Sequence, residues 1–453
     1  MNMKRFDVIV IGAGSGLNVA NAAAEKGLNV AVVEPGPMGG TCLNRGCIPS
    51  KIIIHAADVA ETIRNSEKFH IKSRLISIDF KSIIREANKI VGDSAKHIEE
   101  GIKGSENFTL FKEYARFVGE RRLKVGDEVI EGDKIIIAAG TRPMTPKIEG
   151  LDKIDYMTSD EGLKLEKLPK KLIVLGGGYI ACELAHFYSA MGSDVTIVQR
   201  SDHLLTKQDE EIARKFTEVF SRRINVLTNH TVEKVEKKNG QYALTLKGKT
   251  KKISGDALLV AQGRISNADT LDLEKAGVKT TKEGFIKVNE FLETSAKNVW
   301  AFGDIAGIYQ LKHSANLEGE YCAQNAFGGK KVKVDYTAMP FAIFTNPQIA
   351  GVGMTETELK EKKIHYKTGR YDYIRTGMGK ALKDYDGFVK VLVDKKKEKI
   401  LGCHIIGTDA SSIIHEVIVA MKNKNNVKTI TDTIHIHPAL PEVVERAFLN
   451  IED

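Results

Sequence analysis

No stretch of this chain approaches the roughly 18 consecutive apolar residues of a membrane-spanning helix, so insertion into a bilayer is not expected. Cysteine is scarce, five residues in 453, which excludes the disulfide framework of a secreted protein. The opening MNMKRFDVIVIGAG lacks the cleavage pattern of a signal peptide and runs straight into a strand-like segment. A reducing cytoplasm is therefore the expected compartment. Aromatic residues make up only 7%, and the net charge of +8 comes from lysines scattered through KKLIV, EKVEKKNG, KGKTKK and VDKKKEK, mostly in turns or beside glutamates. Nucleic-acid binding would gather such charges on one face with stacking rings between them, so it is not expected. Nor is a metal site, because Cys182, Cys322 and Cys403 are isolated and supply no second close pair of ligands.

What is present is ordinary globular material, 42% hydrophobic and 28% charged. The length suits about three domains with ample core. Against that background the segment GGTCLNRGCIPSK, Gly39 to Lys51, stands out. Cys42 and Cys47 enclose four residues, and Pro49 follows where a helix can start. A disulfide closing so small a loop stabilises a fold by only about 2 kcal/mol, against nearly 5 for a loop of about a hundred residues. Stability alone is a poor reason for such a bridge. A thiol at a helix N-terminus faces unpaired N–H groups and the positive end of the dipole, which favours its thiolate, and Cys47 is placed for that. Two inert, buried thiols are the competing explanation for the spacing by itself.

The run FDVIVI, Phe6 to Ile11, leads at once into Gly12, Ala13, Gly14, Ser15 and Gly16, then into an alanine-rich helix and a second strand that ends on Glu34. Glu34 lies 22 residues after Gly12, where a carboxylate can take the ribose hydroxyls of a dinucleotide whose pyrophosphate rests on the helix N-terminus. The third fingerprint position carries Leu17 instead of glycine, so helix and strand are expected to sit slightly apart there. Helical periodicity continues from Lys51 to about Gly101, with Ile54, Ala57, Val59 and Ile63 recurring at three- and four-residue steps. Phe108 to Ile130 reads as an antiparallel meander, and DKIIIAAGTRP returns a buried strand to a turn at Gly140. KLIVLGGG then repeats the first strand and glycine turn, with Gly176, Gly178 and Ala181 at the fingerprint positions, and implies a second dinucleotide site. There the position equivalent to Glu34 is about Gln199, followed by Arg200. No carboxylate repels a 2′-phosphate at that point, and Arg200 brings charge to bind one, so NADP(H) is favoured over NAD(H). The competing explanation makes Arg200 an exposed loop cation beside Asp202.

GGTCLNRGCIPSK resembles the redox motif of the class I flavin disulfide oxidoreductases, the family of glutathione, mycothione and mercuric reductases and dihydrolipoamide dehydrogenase. The resemblance runs through the whole chain in order. It implies an α/β fold of two Rossmann-like domains, for FAD and NAD(P), and a C-terminal α+β dimerisation domain. The expected boundaries are 1–146 for the first part of the FAD domain, 147–265 for the NAD(P) domain, 266–334 for the second FAD part and 335–453 for the interface. By position, Cys42 would exchange with substrate, Cys47 would lie against the flavin, and Lys51 would sit near its reactive nitrogen. FAD is implied at Gly12, Gly14, Ser15, Gly16, Glu34, Gly40, Thr41, Lys51 and Gly140, at Asp304 of TSAKNVWAFGD, and at His313 and Ala315 of LKHSAN. The nicotinamide cofactor is implied at Gly176, Gly178, Tyr179, Ile180, Glu183, Gln199, Arg200 and Gly263, with Tyr179 as a gate and Glu183 as the partner of the flavin-side lysine. An incidental glutamate on an amphipathic helix is the plain alternative for Glu183.

The terminal IHPALPEVVERAF matches HPxxxE of the same family. A thiol must lose a proton to attack and a leaving thiolate must regain one, which makes His437 the candidate acid and base, with Glu442 to fix its tautomer. His435 is an equal candidate on chemistry, and a His-Pro pair near a C-terminus is by itself more often a turn. The resemblance implies a homodimer in which this histidine serves the neighbouring subunit. SNAD, LKHSAN, FTNPQIA, DASSII and IHPALPEVVE are most similar to mycothione reductases. A low-molecular-weight disulfide is thus the expected substrate. A lipoyl group is the alternative, as in a dihydrolipoyl dehydrogenase of a 2-oxoacid dehydrogenase complex. A flavoprotein whose bridge stays structural is the non-catalytic one. Glutathione is disfavoured by Asn21, Ala22, Ala23 and Ala24, where its reductases carry arginines, and mercuric ion by the absence of a C-terminal cysteine pair.

Overall fold

Val8, Ile9, Val10 and Ile11 are all buried, as β-branched runs are when both faces of a parallel sheet are covered. In the computed structural model, which describes residues 3–249 and 252–452, they end the strand Lys4–Ile11. It lies between Val30–Val33 and Glu128–Ile137, parallel to both, with Ile9 opposite Ala31 on one side and Ile135 on the other. Phe108–Phe111 extends the sheet in parallel beyond Val30–Val33, and Val299–Ala301 also pairs with Glu128–Ile137. This sheet belongs to a compact unit made of Met1–Ile52, Ser82–Met144 and Gly263–Asp335. A second unit comprises Ile53–Lys81, Thr145–Gln262 and Tyr336–Asp453.

The meander expected over Phe108 to Ile130 holds only in part. Phe108–Phe111 joins the parallel sheet instead, because Phe108 and Leu110 pack on the same apolar cluster as Val30 and Val32. The antiparallel portion is Ala115–Gly119, Arg122–Val125 and the first half of Glu128–Ile137. That last strand is ten residues long and changes partner along its length, Val129 facing Lys124 in the hairpin and Ile135 facing Ile9 in the parallel sheet. The continuous helicity expected from Lys51 to Gly101 is also broken, into Cys47–Arg64 and Phe80–Lys103. Between them Ser66 Oγ donates to the Ile71 carbonyl and Ser73 Oγ to that of Ile63, side-chain bonds that compete with helix continuation. Val59, expected on the apolar face, is exposed.

The repeat seen in the sequence is a repeat in space. Lys171–Leu175 is an inner strand of a four-stranded parallel sheet, between Asp194–Val198 and Ala257–Val260. Gly12 (φ +104°) and Gly176 (φ +115°) play matching parts, since a Cβ on either would come within 2.3 Å of a carbonyl oxygen, that of Ala138 or Ala261, just past the neighbouring strand. Only glycine fits both the dihedral and the space. Leu17 stands at the third fingerprint position, where a gap was expected. A close approach of helix to sheet falls on Gly16, where a Cβ would lie 3.0 Å from Val10 Cγ1, and Leu17 packs half-buried at the margin of the cluster.

The C-terminal part of the second unit is a six-stranded antiparallel sheet in the order Pro340–Ile343, Gln348–Gly353, Ile400–Gly407, Phe388–Asp394, Tyr366–Asp372, Ile451–Glu452. His415–Lys422 and Glu442–Leu449 cover it through Val417, Val443, Val444 and Ala447. Four shorter helices accompany these two among the described residues. The whole is α/β with a C-terminal α+β portion, as expected. Among the described residues no helix is long and apolar enough to cross a membrane.

One buried ionic cluster ties the helix Glu210–Phe220 to the C-terminal sheet. Lys390, almost fully buried, reaches Asp209 at 3.0 Å, Glu211 at 3.2 Å and Glu356 at 2.7 Å. Burial alone would raise the Glu356 carboxyl, but hydrogen bonds from Lys360, Lys390 and Tyr366 pull it down to about 2. Its folded value lies below the unfolded one, so its contribution to stability is present above the usual carboxylate range and is lost as pH falls towards 2. Lys390→Met strands the carboxylates and is expected to cost about 3–5 kcal/mol in urea unfolding at pH 7. Protonation relieves stranded carboxylates, so the deficit should narrow at pH 4. An unchanged urea midpoint would show that the cluster contributes nothing.

Candidate functional site

Gly39 and Gly40, both with positive φ, turn the chain into the short helix Gly40–Arg45, whose first turn holds Thr41 and Cys42. The next helix starts on Cys47 itself, and Pro49 sits in its first turn, where no amide donor is needed. Asn44 secures the loop from within, donating through Nδ2 to the carbonyls of Met38 at 2.8 Å, Gly40 at 3.0 Å and Pro37 at 3.3 Å. Both cysteines are free thiols, Cys47 exposed and Cys42 half-buried. A hydrogen bond from one to the other, then burial, then the charge of Cys47 push the Cys42 thiol well up, and Lys312 opposes the shift. The pair thus gives up one proton far more readily than two. Cys182, Cys322 and Cys403 are fully buried, and desolvation keeps them protonated. Lys51, on the same helix as Cys47, donates to Ser50 Oγ at 3.4 Å.

At the first glycine turn, Glu34 accepts from Ala13 N–H through Oε2 and from Gly36 N–H through Oε1, both at 2.9 Å. Each oxygen keeps a lone pair for a sugar hydroxyl. Among the described residues the N–H groups of Gly14, Ser15 and Gly16 have no backbone acceptor. In the same unit, where Thr141–Pro143 pairs with Arg264–Ser266, Thr141 Oγ1 donates to Asp304 at 3.0 Å and accepts from Arg264 Nε at 2.8 Å. Burial pushes the Asp304 carboxyl up, against the hydrogen bond from Thr141 and the charge of Arg264. The carbonyl of Gly140 accepts from Asn267 N–H, and that of Gly263 from Met144 N–H. His313 and Ala315 lie in the first turn of the helix Lys312–Phe327. Three unpaired donors at a helix N-terminus and a carboxylate with free lone pairs fit the pyrophosphate and ribose of FAD.

In the second unit Gly178 caps the helix Tyr179–Met191, with Ile180 in its first turn and Tyr179 exposed. Glu183 is buried and accepts from Phe344 N–H at 2.9 Å. A carboxylate in that setting is no incidental surface residue. Gln199 turns its carboxamide back on the chain, accepting from Arg200 N–H at 3.1 Å. Asp202 pairs with Arg214 and His203, both at 2.7 Å, and not with Arg200. Arg200 is exposed in its loop, as the competing explanation has it, but among the described residues its guanidinium has no acidic partner.

The two histidines, equal on chemistry, differ in setting. The His435 side chain is 6% exposed, with Nε2 at 3.0 Å from Glu416 and Nδ1 at 3.0 Å from the Thr433 carbonyl. The His437 side chain is 75% exposed, with Nδ1 at 2.8 Å from Glu442 Oε1. Glu442 also accepts from Ala439 N–H at 2.9 Å. Burial would raise the Glu442 carboxyl, but the bonds from His437 and Ala439 hold it below the usual range. Nδ1 of His437 is therefore tied to an anion, and Nε2 makes no hydrogen bond among the described residues.

Sequence reasoning missed Asn44, Thr141, Arg264 and Asn316, which orient their neighbours without belonging to a motif of reactive types. The one available signal was position, Asn44 lying between the two cysteines.

Residues 6–319 match the family described as pyridine nucleotide-disulphide oxidoreductase, and residues 339–448 match its dimerisation domain. The chain is 35% identical over 464 residues to a mycothione reductase of Mycobacterium tuberculosis (strain ATCC 25618 / H37Rv), covering 99% of this chain and 100% of the relative. It is 33% identical over 458 residues to a dihydrolipoyl dehydrogenase of Chlamydia muridarum (strain MoPn / Nigg), covering 99% and 97%. Among solved structures it is similar to the HOCl-induced flavoprotein disulfide reductase RclA from Escherichia coli, with a TM-score of 0.88 and 27% identity, covering 98% of this chain and 99% of that one.

Proposed function

The chain belongs to the FAD-containing pyridine nucleotide-disulphide oxidoreductases, and within that family we propose that it reduces a low-molecular-weight disulfide at the expense of NADPH. The observation that carries the proposal is the hydrogen-bonded Cys42/Cys47 pair, whose second member opens a helix. When bound, FAD supplies the two-electron path between the nicotinamide and these sulfurs. The remaining chemistry belongs to the chain. The Cys42 thiolate attacks one sulfur of the substrate disulfide, forming a mixed disulfide and releasing one thiolate, which takes its proton from His437. Cys47 then attacks the Cys42 sulfur, its proton passing through the same imidazole to the second departing thiolate, and leaves a Cys42–Cys47 disulfide. Glu442 holds the imidazole with Nε2 outward and balances its charge while it carries the proton. Lys51 and Glu183 take the flavin-side positions that the family likeness implies.

The match to the dimerisation domain supports a homodimer, in which a second copy of the chain supplies His437. The domain assignment follows the same likeness, with 1–146 and 266–334 for FAD, 147–265 for the nicotinamide nucleotide and 335–453 for the interface. Accessible thiols of this kind suit a reducing compartment, the cytoplasm being the expected one.

The preference for NADPH rests on Gln199 and on an Arg200 that has no carboxylate partner among the described residues. A charge-assisted bond of this kind is worth about 1.5–3 kcal/mol, so Arg200→Ala should raise the KM for NADPH by roughly 10–100-fold and leave that for NADH nearly unchanged. Equal losses with both cofactors would contradict the assignment. The likeness to dihydrolipoyl dehydrogenases favours a second substrate, a lipoyl group. Turnover with NADPH and with NADH, on lipoamide and on cystine-type disulfides, separates the two. Strong lipoamide reduction with NADH alone would reject the first choice.

A further inference from the structure

Lys312 opens the helix Lys312–Phe327, and its ammonium is held in place. Nζ donates to Ser15 Oγ at 2.8 Å, Ser15 Oγ donates to Asn316 Oδ1 at 3.0 Å, and Asn18 Nδ2 reaches the same oxygen at 3.4 Å. A long side chain gives up rotamer freedom when fixed in this way. What it gains is not an ion pair, because among the described residues no carboxylate stands against it. Glu318, on its own helix, is turned to Gly303 N–H at 2.6 Å, and Glu34 to the amides of Ala13 and Gly36. Among the described residues the cation is held by neutral partners, Ser15 and, through it, Asn316.

The same corner of this unit carries the cysteine pair. Gly39 N–H donates to the Ala13 carbonyl at 2.8 Å. Gly14 and Gly40 approach so closely that a Cβ on Gly40 would come within 2.7 Å of Gly14 Cα. Ser15, which fixes the lysine, and Cys42, two residues beyond Gly40, thus hang from backbones that touch. Among the titratable and charged groups that bear on Cys42 are Cys47, across the loop, and Lys312, which favours its thiolate. When the reduced pair sheds its first proton, one negative charge is shared by two hydrogen-bonded sulfurs, and Lys312 is a fixed positive charge that favours it.

We propose that Lys312 stabilises the anionic form of the reduced Cys42/Cys47 pair, with Ser15 and Asn316 setting where its ammonium stands. The proposal rests on the pair being the redox centre, and its test does not need turnover. Lys312 is a positioning residue here, acting through the thiolate by charge. Loss of that charge leaves more of the pair as dithiol at neutral pH and slows every attack that needs a thiolate. A nearby opposite charge moves a titration by about one unit or more.

The test is the pH profile of iodoacetamide alkylation of the holoenzyme, reduced with dithiothreitol and desalted, followed at Cys42 and Cys47 by mass spectrometry. Lys312→Met is expected to move the midpoint of the faster thiol up by about one pH unit, Lys312→Arg to restore it, and Ser15→Ala to shift it part of the way. Retention of flavin on gel filtration is measured alongside. An unchanged alkylation profile in Lys312→Met overturns the proposal, whether flavin is retained or lost, and lost flavin with unchanged thiols would assign the lysine to the dinucleotide phosphates instead. Should the pair prove not to be redox-active, disulfide turnover fails in the unaltered enzyme while the profiles remain readable, so the two failures are distinct.

Discussion

Cys47→Ser is expected to lower disulfide turnover by on the order of 10³-fold or more while leaving FAD bound. The loss follows from the order of the exchange. Cys42 can still attack a substrate sulfur and form a mixed disulfide, but no second thiol remains to attack it in turn. The variant should therefore stall with one substrate half attached to Cys42, detectable as a mass increase on the peptide that contains it. Cys42→Ser should lose turnover equally and form no such adduct. The pair also tests the division of labour between the sulfurs, because exposure by itself ranks Cys47 above Cys42 and the roles rest on the family likeness. An adduct that forms on Cys47 in Cys42→Ser, and none on Cys42 in Cys47→Ser, would reverse them. Retained turnover in either variant would remove the pair from the reaction.

His437→Gln is expected to cost about 10²–10⁴-fold in kcat, the usual worth of a positioned acid and base, with the fold and flavin content unchanged. The setting of the side chain supports both halves of that expectation. At 75% exposure it contributes little to packing, and its bond to Glu442 leaves one nitrogen for the proton. His435→Gln makes the contrasting control. That ring is enclosed and bonded at both nitrogens, so its replacement should lower the melting temperature while sparing kcat in the molecules that remain folded. Glu442→Gln keeps an acceptor opposite Nδ1 and removes its charge, which should give a smaller loss than His437→Gln. Equal kcat for His437→Gln and the unaltered enzyme would exclude it as the proton carrier.

Local patterns marked both glycine turns because the constraint there is local. A strand of β-branched residues that meets a glycine with positive φ admits few alternatives, and Gly12 and Gly176 each face a carbonyl that no side chain could tolerate. The cysteine pair was legible for a similar reason, its spacing and the proline after it being written in consecutive residues. Features decided by distant partners were not legible. Phe108–Phe111 alternates like a meander strand but pairs in parallel with Val30–Val33, a choice set by the cluster below it. Residues 65–79 carry enough apolar side chains to look helical, and serine hydroxyls divert the backbone. Two histidines two residues apart were equal on chemistry and separated only by likeness to HPxxxE; the contact of His435 with Glu416, which sets it apart, joins residues distant in sequence.

The central claim is that Cys42 and Cys47 alternate between dithiol and disulfide at the expense of a nicotinamide nucleotide. Counting alkylatable thiols on the Gly39 to Lys51 peptide, in air-oxidised holoenzyme before and after anaerobic addition of NADPH, tests it most directly. The expected result is no labelled cysteine before addition and both labelled after it, with Cys182, Cys322 and Cys403 unlabelled throughout. Two labelled cysteines before addition, or none after it, would contradict the claim.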